Sequence, residues 1–403
     1  MGLILITAVL LLSLAGCLSP VSLDAYGYVI SIGVDSGVEK KYYYTFALQR
    51  ELSEQNTSGE GGAITLACEA DSIFEAVGEI EGNIPYSLNF SRTGFIVMGR
   101  EPAEAGALRE LVTTSFDTLK IRTSAVVIVA ENEAYEFIGG LFANNDANIT
   151  KLQTALMLDK EKTGMDTLMS VSRLIEACSE GRFDYSSALG GYDGELITDM
   201  EQKKAESEGG DPLEDAQKGD RVGGLKSFVN GAALFSGWRM TGTLTREETL
   251  WLNVSLGELR TAVVDLVYTG GGEAEGTAIS VGISPGGHKR TACFTPDGAF
   301  RVIVDVTLKA GVRQKDERIS SEEADAWLKG SFRSYCEERL KAVFLICRGA
   351  SSDAMRFGTE ASKLMKTPAE WEAFAWKDRY PAFEPEFIVT VLNVEKYIEE
   401  DMQ

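Results

Sequence analysis

Tyr28-Val29-Ile30-Ser31-Ile32-Gly33-Val34, then Asp35-Ser36-Gly37, then Tyr42-Tyr43-Tyr44-Thr45-Phe46-Ala47-Leu48 is the stretch that decides the fold. β-Branched and aromatic residues fill both flanking runs, which suits a pleated sheet surface, and the Asp-Ser-Gly between them is turn chemistry. The pair reads as a hairpin. Ser72-Ile73-Phe74-Glu75 has the form of a capping box, and Ile73, Phe74, Val77 and Ile80 fall on one face of the helix it opens. Phe95-Ile96-Val97-Met98 is apolar throughout, as expected of a strand covered on both sides. Pro102 begins a second helix through Leu108, Leu111 and Val112, and Ala125-Val126-Val127-Ile128-Val129 supplies a further buried strand. This half is a mixed sheet with helices.

From residue 144 to about 189 the pattern is helical, with Met165, Leu168, Met169, Ser172 and Ile175 at three- and four-residue spacing. Residues 199–221 are more than half charged and contain Gly209-Gly210-Asp211-Pro212, so they bury little and read as a linker or exposed loop. Strand character returns at 229–235, 261–268, 277–283 and 300–308. Ser321-Glu322-Glu323 then opens a long helix whose apolar face carries Leu328, Phe332, Tyr335, Leu340, Val343 and Cys347. Short helices before Pro368 and near Trp371 and Trp376 lead to a last strand at 387–392.

The chain has 403 residues, 44% of them apolar, and a formal net charge of −22 from 61 acidic against 39 basic residues. That length and apolar fraction allow two or three packed domains. The charge repels phosphate backbones and anionic bilayers, so nucleic acid is excluded as a partner and attachment to a membrane has to be hydrophobic or covalent. A covalent route is written at the start. Leu3 to Ala15 is an apolar core shorter than the roughly 20 residues that span a bilayer, which is the form of an export signal. Leu14-Ala15-Gly16-Cys17 directly after it looks like a bacterial lipobox, with Cys17 as the lipidated thiol. Two acyl chains, at about 0.8 kcal/mol per buried methylene, hold a soluble body at a membrane where one is marginal.

The expected architecture is α+β: two to three small mixed-sheet domains with packed helices behind a lipidated N-terminal cysteine. Its units are a signal peptide at 1–16, an α+β domain at 17–140, a helical middle domain at 141–198, an acidic linker at 199–224 and a second α+β domain at 225–403. Five cysteines remain, Cys68, Cys178, Cys293, Cys336 and Cys347, with no CxxC pair among them. Cys336 and Cys347 stand about 16 Å apart along one expected helix, too far to bridge. All five read as small buried hydrophobes.

Catalytic signatures are missing. The chain has no GxGxxG or GxxxxGK, and no serine with lysine three positions on. Its single histidine, His288, lies in Pro285-Gly286-Gly287-His288-Lys289-Arg290, which reads as a surface turn. The pairs Glu79/Glu81, Glu247/Glu248 and Glu322/Glu323 read as solvated helix ends, since nothing around them would separate two carboxylate pKa values. No catalytic, metal or cofactor site is expected.

The order of features resembles the Ger(x)C spore germination lipoproteins. In the first half the resemblance is carried by Cys17, Ile32-Gly33-Val34-Asp35, Ser72-Ile73-Phe74-Glu75-Ala76 and Gly94-Phe95-Ile96-Val97-Met98-Gly99. In the second half it is carried by Asn230-Gly231-Ala232-Ala233-Leu234-Phe235, Gly242-Thr243-Leu244-Thr245 and Glu247-Glu248-Thr249-Leu250-Trp251-Leu252, then by Asp353, Phe357-Gly358, Lys366, Pro368, Trp371, Trp376 and the strand from Phe387. Leu18 stands where the family usually has tryptophan, and the linker is more acidic. The resemblance implies the non-catalytic C subunit of a nutrient germinant receptor, lipid-anchored on the outer face of the inner spore membrane beside integral-membrane A and B subunits. A solute-binding lipoprotein of a membrane transporter is the alternative, and its usual repeated βα lobes are not what the second half spells.

Overall fold

In the computed structural model, which describes residues 26–49, 63–143, 149–192, 227–296 and 298–393, the opening hairpin forms as read. β1 (Tyr26–Ser36) runs antiparallel to β2 (Tyr42–Gln49) with Val34 opposite Tyr44, and β3 (Ala63–Ala70) extends the sheet beyond β2. Helix α1 (Ile73–Glu81) starts where Ser72 Oγ accepts from Glu75 N at 3.2 Å, and it buries Ile73, Ala76 and Ile80. Phe74 turns outward and is 42% exposed, because the buried stripe recurs at three and four residues and position 74 lies about 100° around from it.

On its other side β1 pairs in parallel with β4 (Ser87–Asn89) and with β5 (Phe95–Met98). The second helix is broken: α2 (Arg100–Ala105) ends at Gly106, whose φ of +84° lies in the left-handed region, before α3 (Ala107–Glu110) and α4 (Phe116–Leu119) resume. β6 (Val126–Ala130) follows parallel to β5. Helix α5 (Ala134–Ala143) covers one face of this sheet. Phe95, Val97, Ile128, Phe137 and Ile138 form that core, while Ile96, Met98, Val127 and Val129 point to the other face and pack with α1 and α2. Alternation within four wholly apolar residues is the sign of a two-sided sheet.

The middle segment departs from the helical expectation. α6 (Ile149–Thr163) is followed by an extended stretch holding β7 (Met169–Ser170), which pairs with β6, and only then by α7 (Val171–Glu180). Gly164, at φ +63°, stops α6, so Met165 and Leu168 do not belong to a helical stripe. β8 (Ser186–Tyr192) joins β6 in parallel, β9 (Ser227–Ser236) pairs antiparallel with β8, and β10 (Arg239–Leu244) closes the edge. The result is one ten-stranded sheet in the order β10-β9-β8-β6-β5-β1-β2-β3, with β4 and β7 as side strands. Its hydrogen bonds cross the divisions expected near 140 and at 199–224. A charged connector reports that its own residues bury little, and carries no information on whether the strands at its two ends pair. The residues of that linker lie outside the described ones, as does Cys17.

A second, four-stranded sheet and the helices packed with it make up the rest of the described residues. α8 (Arg246–Leu256) starts with a full capping box between Thr245 and Glu248. β11 (Ala262–Val267), β12 (Ala278–Phe294) and β13 (Phe300–Gln314) are successive antiparallel neighbours. His288 is therefore in a strand: Pro285-Gly286-Gly287 makes a bulge inside β12, and pairing with β13 resumes at Gly287. The long helix is α9 (Ser321–Trp327), a wider π-turn at Leu328–Phe332, and α10 (Arg333–Gly349), opened by a capping box between Ser320 and Glu323. α11 (Phe357–Ser362), α12 (Pro368–Phe374) and α13 (Trp376–Arg379) precede β14 (Glu386–Asn393), which pairs in parallel with β13. Trp251, Phe332, Leu340, Val304 and Val389 share this core. Both Glu248 and Glu323 thus cap helices, as solvated helix-end residues should.

Candidate functional site: the joint between the sheets

Strand β9 belongs to two cores at once. Ala233 and Phe235 face the core under the ten-stranded sheet, while Ala232 and Leu234 face the core of the second sheet. The two units therefore meet along a shared strand, and polar groups fix how they meet.

The centre of that joint is Asp353, in the loop leaving α10 and only 2% exposed. Its Oδ1 accepts from Phe357 N at 2.8 Å, and its Oδ2 accepts from Gly358 N at 2.6 Å and from the Trp376 indole Nε1 at 2.9 Å. These donors tie α10, α11 and α13 to one carboxylate. Its backbone reaches the other unit: Asp353 N donates to Asp184 Oδ2 at 3.1 Å, and Asp184 N donates back to the Asp353 carbonyl at 3.3 Å. Asp184 Oδ1 in turn accepts from Gly237 N at 2.7 Å, at the turn between β9 and β10. Gly358 is required by space, since a Cβ there would lie 2.0 Å from the Arg182 carbonyl oxygen and 2.5 Å from the Trp376 indole nitrogen.

Burial pushes the Asp353 carboxyl up to about 7 against the pull of its three N–H donors, and Asp184 beside it adds to the rise. Lys377 Nζ stands 3.7 Å from Asp184 at the surface of the joint. A cavity of about 90 Å³, lined by Phe183, Asp184, Asp353, Trp376, Lys377 and Tyr380, opens there. Two further ties flank it. Asn253 Nδ2 donates to the carbonyls of Gly164 and Asp166, both at 2.8 Å, pinning α8 to the loop after α6. Glu258 bridges Lys160 at 2.9 Å and Arg356 at 3.0 Å; burial opposes its ionisation, but the two cations outweigh burial and hold its carboxyl below the usual range.

The motif residues of the second half thus converge. Asp353, Phe357, Gly358 and Trp376 meet at one carboxylate, and Gly231 and Gly242 sit in the β9–β10 ribbon, where a Cβ on Gly231 would lie 2.1 Å from the Leu244 carbonyl oxygen. In the first half Asp35 is no turn residue. It is buried at the end of β1, accepts from Ala134 N at 2.7 Å and Tyr135 N at 3.0 Å, and so caps α5; a Cβ on Gly99 would lie 2.2 Å from its Oδ1. The remaining cysteines are free thiols: Cys336 and Cys347 are buried, Cys68 and Cys178 half-buried, and Cys293, on the strand β12, exposed, against the reading of five buried hydrophobes. Among the described residues no group of three or more His, Cys, Asp or Glu could hold a metal ion, and no helix is long and apolar enough to cross a membrane. Sequence reasoning missed Asp184 and Glu258, which carry no motif; the only signal for Asp184 was a charge set between Phe183 and Tyr185.

Two mixed sheets clasped by buried carboxylates define an α+β class with a solved counterpart, described as the crystal structure of the GerBC protein. It aligns with a TM-score of 0.51 and 12% identity over 90% of this chain and 97% of that one, a likeness of fold. Two family profiles match the sequence in order: spore germination protein N-terminal domain over residues 20–181, and spore germination B3/GerAC like, C-terminal, over residues 230–395. The chain belongs to the Ger(x)C family of spore germination proteins. No curated protein matches it.

Proposed function

We propose that this chain is the lipid-anchored C subunit of a spore nutrient germinant receptor, needed for nutrient-triggered germination and without catalytic chemistry of its own. The observation that carries this reading is the ordered pair of family matches, the first of which begins at residue 20, three positions after the lipobox cysteine. Acylation of Cys17 would hold the acidic body on the outer face of the inner spore membrane and raise its effective concentration around integral-membrane A and B subunits. The joint supports a role in which two units keep a fixed relation while contacting different partners. The transporter-lipoprotein alternative requires two similar lobes around a hinge, whereas the two sheets here differ in strand number, order and pairing.

Deleting the gene in a sporulating host is expected to abolish or delay nutrient-triggered germination and to leave germination by a non-nutrient agent intact. Equal loss of both, or of neither, would sink the receptor reading. Cys17→Ala is expected to release the protein from membranes and remove fatty-acid labelling; persistent membrane association would refute lipidation as the main tether.

A further inference from the structure

In a chain of net charge −22, one cleft carries the opposite sign. It lies between the end of α8, the strand β12 and the helix α11, has a volume of about 360 Å³, and is lined by His288, Arg290, Arg356, Glu360 and Lys363 among others. Three permanent cations face a single lining carboxylate. Arg356 is engaged by Glu258 at 3.0 Å and Lys363 by Glu360 at 2.9 Å. Arg290 is different.

Its guanidinium donates to the Met355 carbonyl at 2.7 Å and to the Ser255 carbonyl, and it lies over the Phe357 ring at 5.3 Å. Neutral carbonyls and a ring satisfy hydrogens without cancelling charge. Among the described residues Arg290 forms no ion pair, and its Nε is buried with no partner. Glu360, Asp353 and Glu258 act on it only at longer range, and a partly desolvated cation with no carboxylate in direct contact is costly, so an anion entering the cleft would lower that cost. Burial already holds the Arg290 pKa below its ordinary value, in line with that cost.

We propose that this cleft is a binding site for a small organic dianion of the dicarboxylate class. Arg290 on β12 offers a guanidinium without an ion pair, and Arg356 and Lys363, which flank α11 and are each paired with one carboxylate, keep further N–H groups to donate, so a ligand with a carboxylate at each end meets donors from both the strand and the helix ends. The inference goes beyond the receptor assignment and depends on neither the anchor nor the partner subunits.

The test is calorimetric titration of the full chain in non-ionic detergent with succinate and, separately, with inorganic phosphate. Saturable one-to-one binding of succinate that weakens with added salt is expected. Lys363→Glu, at a side chain 61% exposed, should weaken it about tenfold by reversing one charge at the cleft, with an unfolding midpoint near that of the wild type as the check that the fold is kept. Lys329→Glu, a similarly exposed lysine paired with Asp325 outside the cleft, should leave it unchanged. Absence of saturation by succinate up to about 10 mM, a weakness beyond regulatory use, overturns the proposal, as does equal weakening by both substitutions. Phosphate binding in place of succinate overturns the dicarboxylate assignment.

Discussion

Asp35 and Asp353 are the same device used in two places. Each is a carboxylate almost wholly withdrawn from water, at 6% and 2% exposed, and each accepts the first free backbone N–H groups of a helix. Asp35 sits on β1 and closes α5 onto that strand's own sheet, so it works inside one unit. Asp353 caps α11, takes a third donor from Trp376, and exchanges backbone bonds with Asp184 of the other unit. Where apolar faces pack over a broad area, two hydrogen bonds are enough to fix a helix. Where two sheets share one strand, position has to come from directional bonds, and the joint accordingly carries more of them.

The comparison breaks most readily at Asp353. Asp353→Ala leaves three buried N–H donors without an acceptor, each bond to a charged group being worth about 1.5–3 kcal/mol, so a loss of about 4.5 kcal/mol or more is expected. Chemical denaturation should also resolve into two transitions, as the ten-stranded sheet and the second sheet come apart. Asp35→Ala removes two donors' partner within one unit, with an expected loss of about 3 kcal/mol or more, smaller than that of Asp353→Ala, and no new transition. Splitting by Asp35→Ala, or a single transition with Asp353→Ala, would show that the joint has been placed in the wrong region.

Acidity separates the two sites further. Burial raises both carboxyls, Asp35 to about 6 and Asp353 to about 7, from an unfolded value of about 3.9. A carboxyl with a raised folded pKa binds its proton more tightly when folded. Its contribution is therefore fully present below about pH 3.9 and is lost as the pH rises through the folded value. The stability of the wild type relative to Asp353→Asn should decline up to about pH 7, and relative to Asp35→Asn only up to about pH 6. Urea unfolding at pH steps between 4 and 8 measures both differences. A difference that grows with pH for either variant would mean that the N–H donors, and not burial, govern that carboxyl.

How far each site was legible follows from where its partners lie in the chain. The apolar strands β5 and β6 and the helix start at Ser72 are local patterns, and period-two burial or a three-residue spacing suffices to read them. Asp35 was read as a turn because Asp-Ser-Gly is turn chemistry, while the amides it caps come 99 and 100 residues later. Asp353 entered only through a family resemblance, which marks positions and gives no bonds, and Trp376 through that and the short helix it marks; Asp184, 169 residues from Asp353, entered by no route. His288 was placed in a turn because Pro-Gly-Gly breaks most strands, and only pairing with β13 carries the chain through it as a bulge. Long-range pairing was the missing quantity in every case.

The smallest effect tests whether charge or geometry holds the joint. Lys377 is the cation drawn toward Asp184, yet its side chain is 59% exposed and its nitrogen stands 3.7 Å away, beyond a good hydrogen bond. An exposed pair of that kind contributes about 0–1 kcal/mol after solvent screening and the entropy of holding a lysine. Asp184 meanwhile has two backbone N–H donors, from Gly237 and Asp353, that stay in place whatever happens at position 377. Lys377→Ala is therefore expected to change unfolding stability by less than about 0.5 kcal/mol and to leave the pH dependence unaltered. A loss approaching that of Asp353→Ala would mean that the two neighbouring carboxylates need a counter-charge. The joint would then differ from the Asp35 site in electrostatics as well as in connectivity.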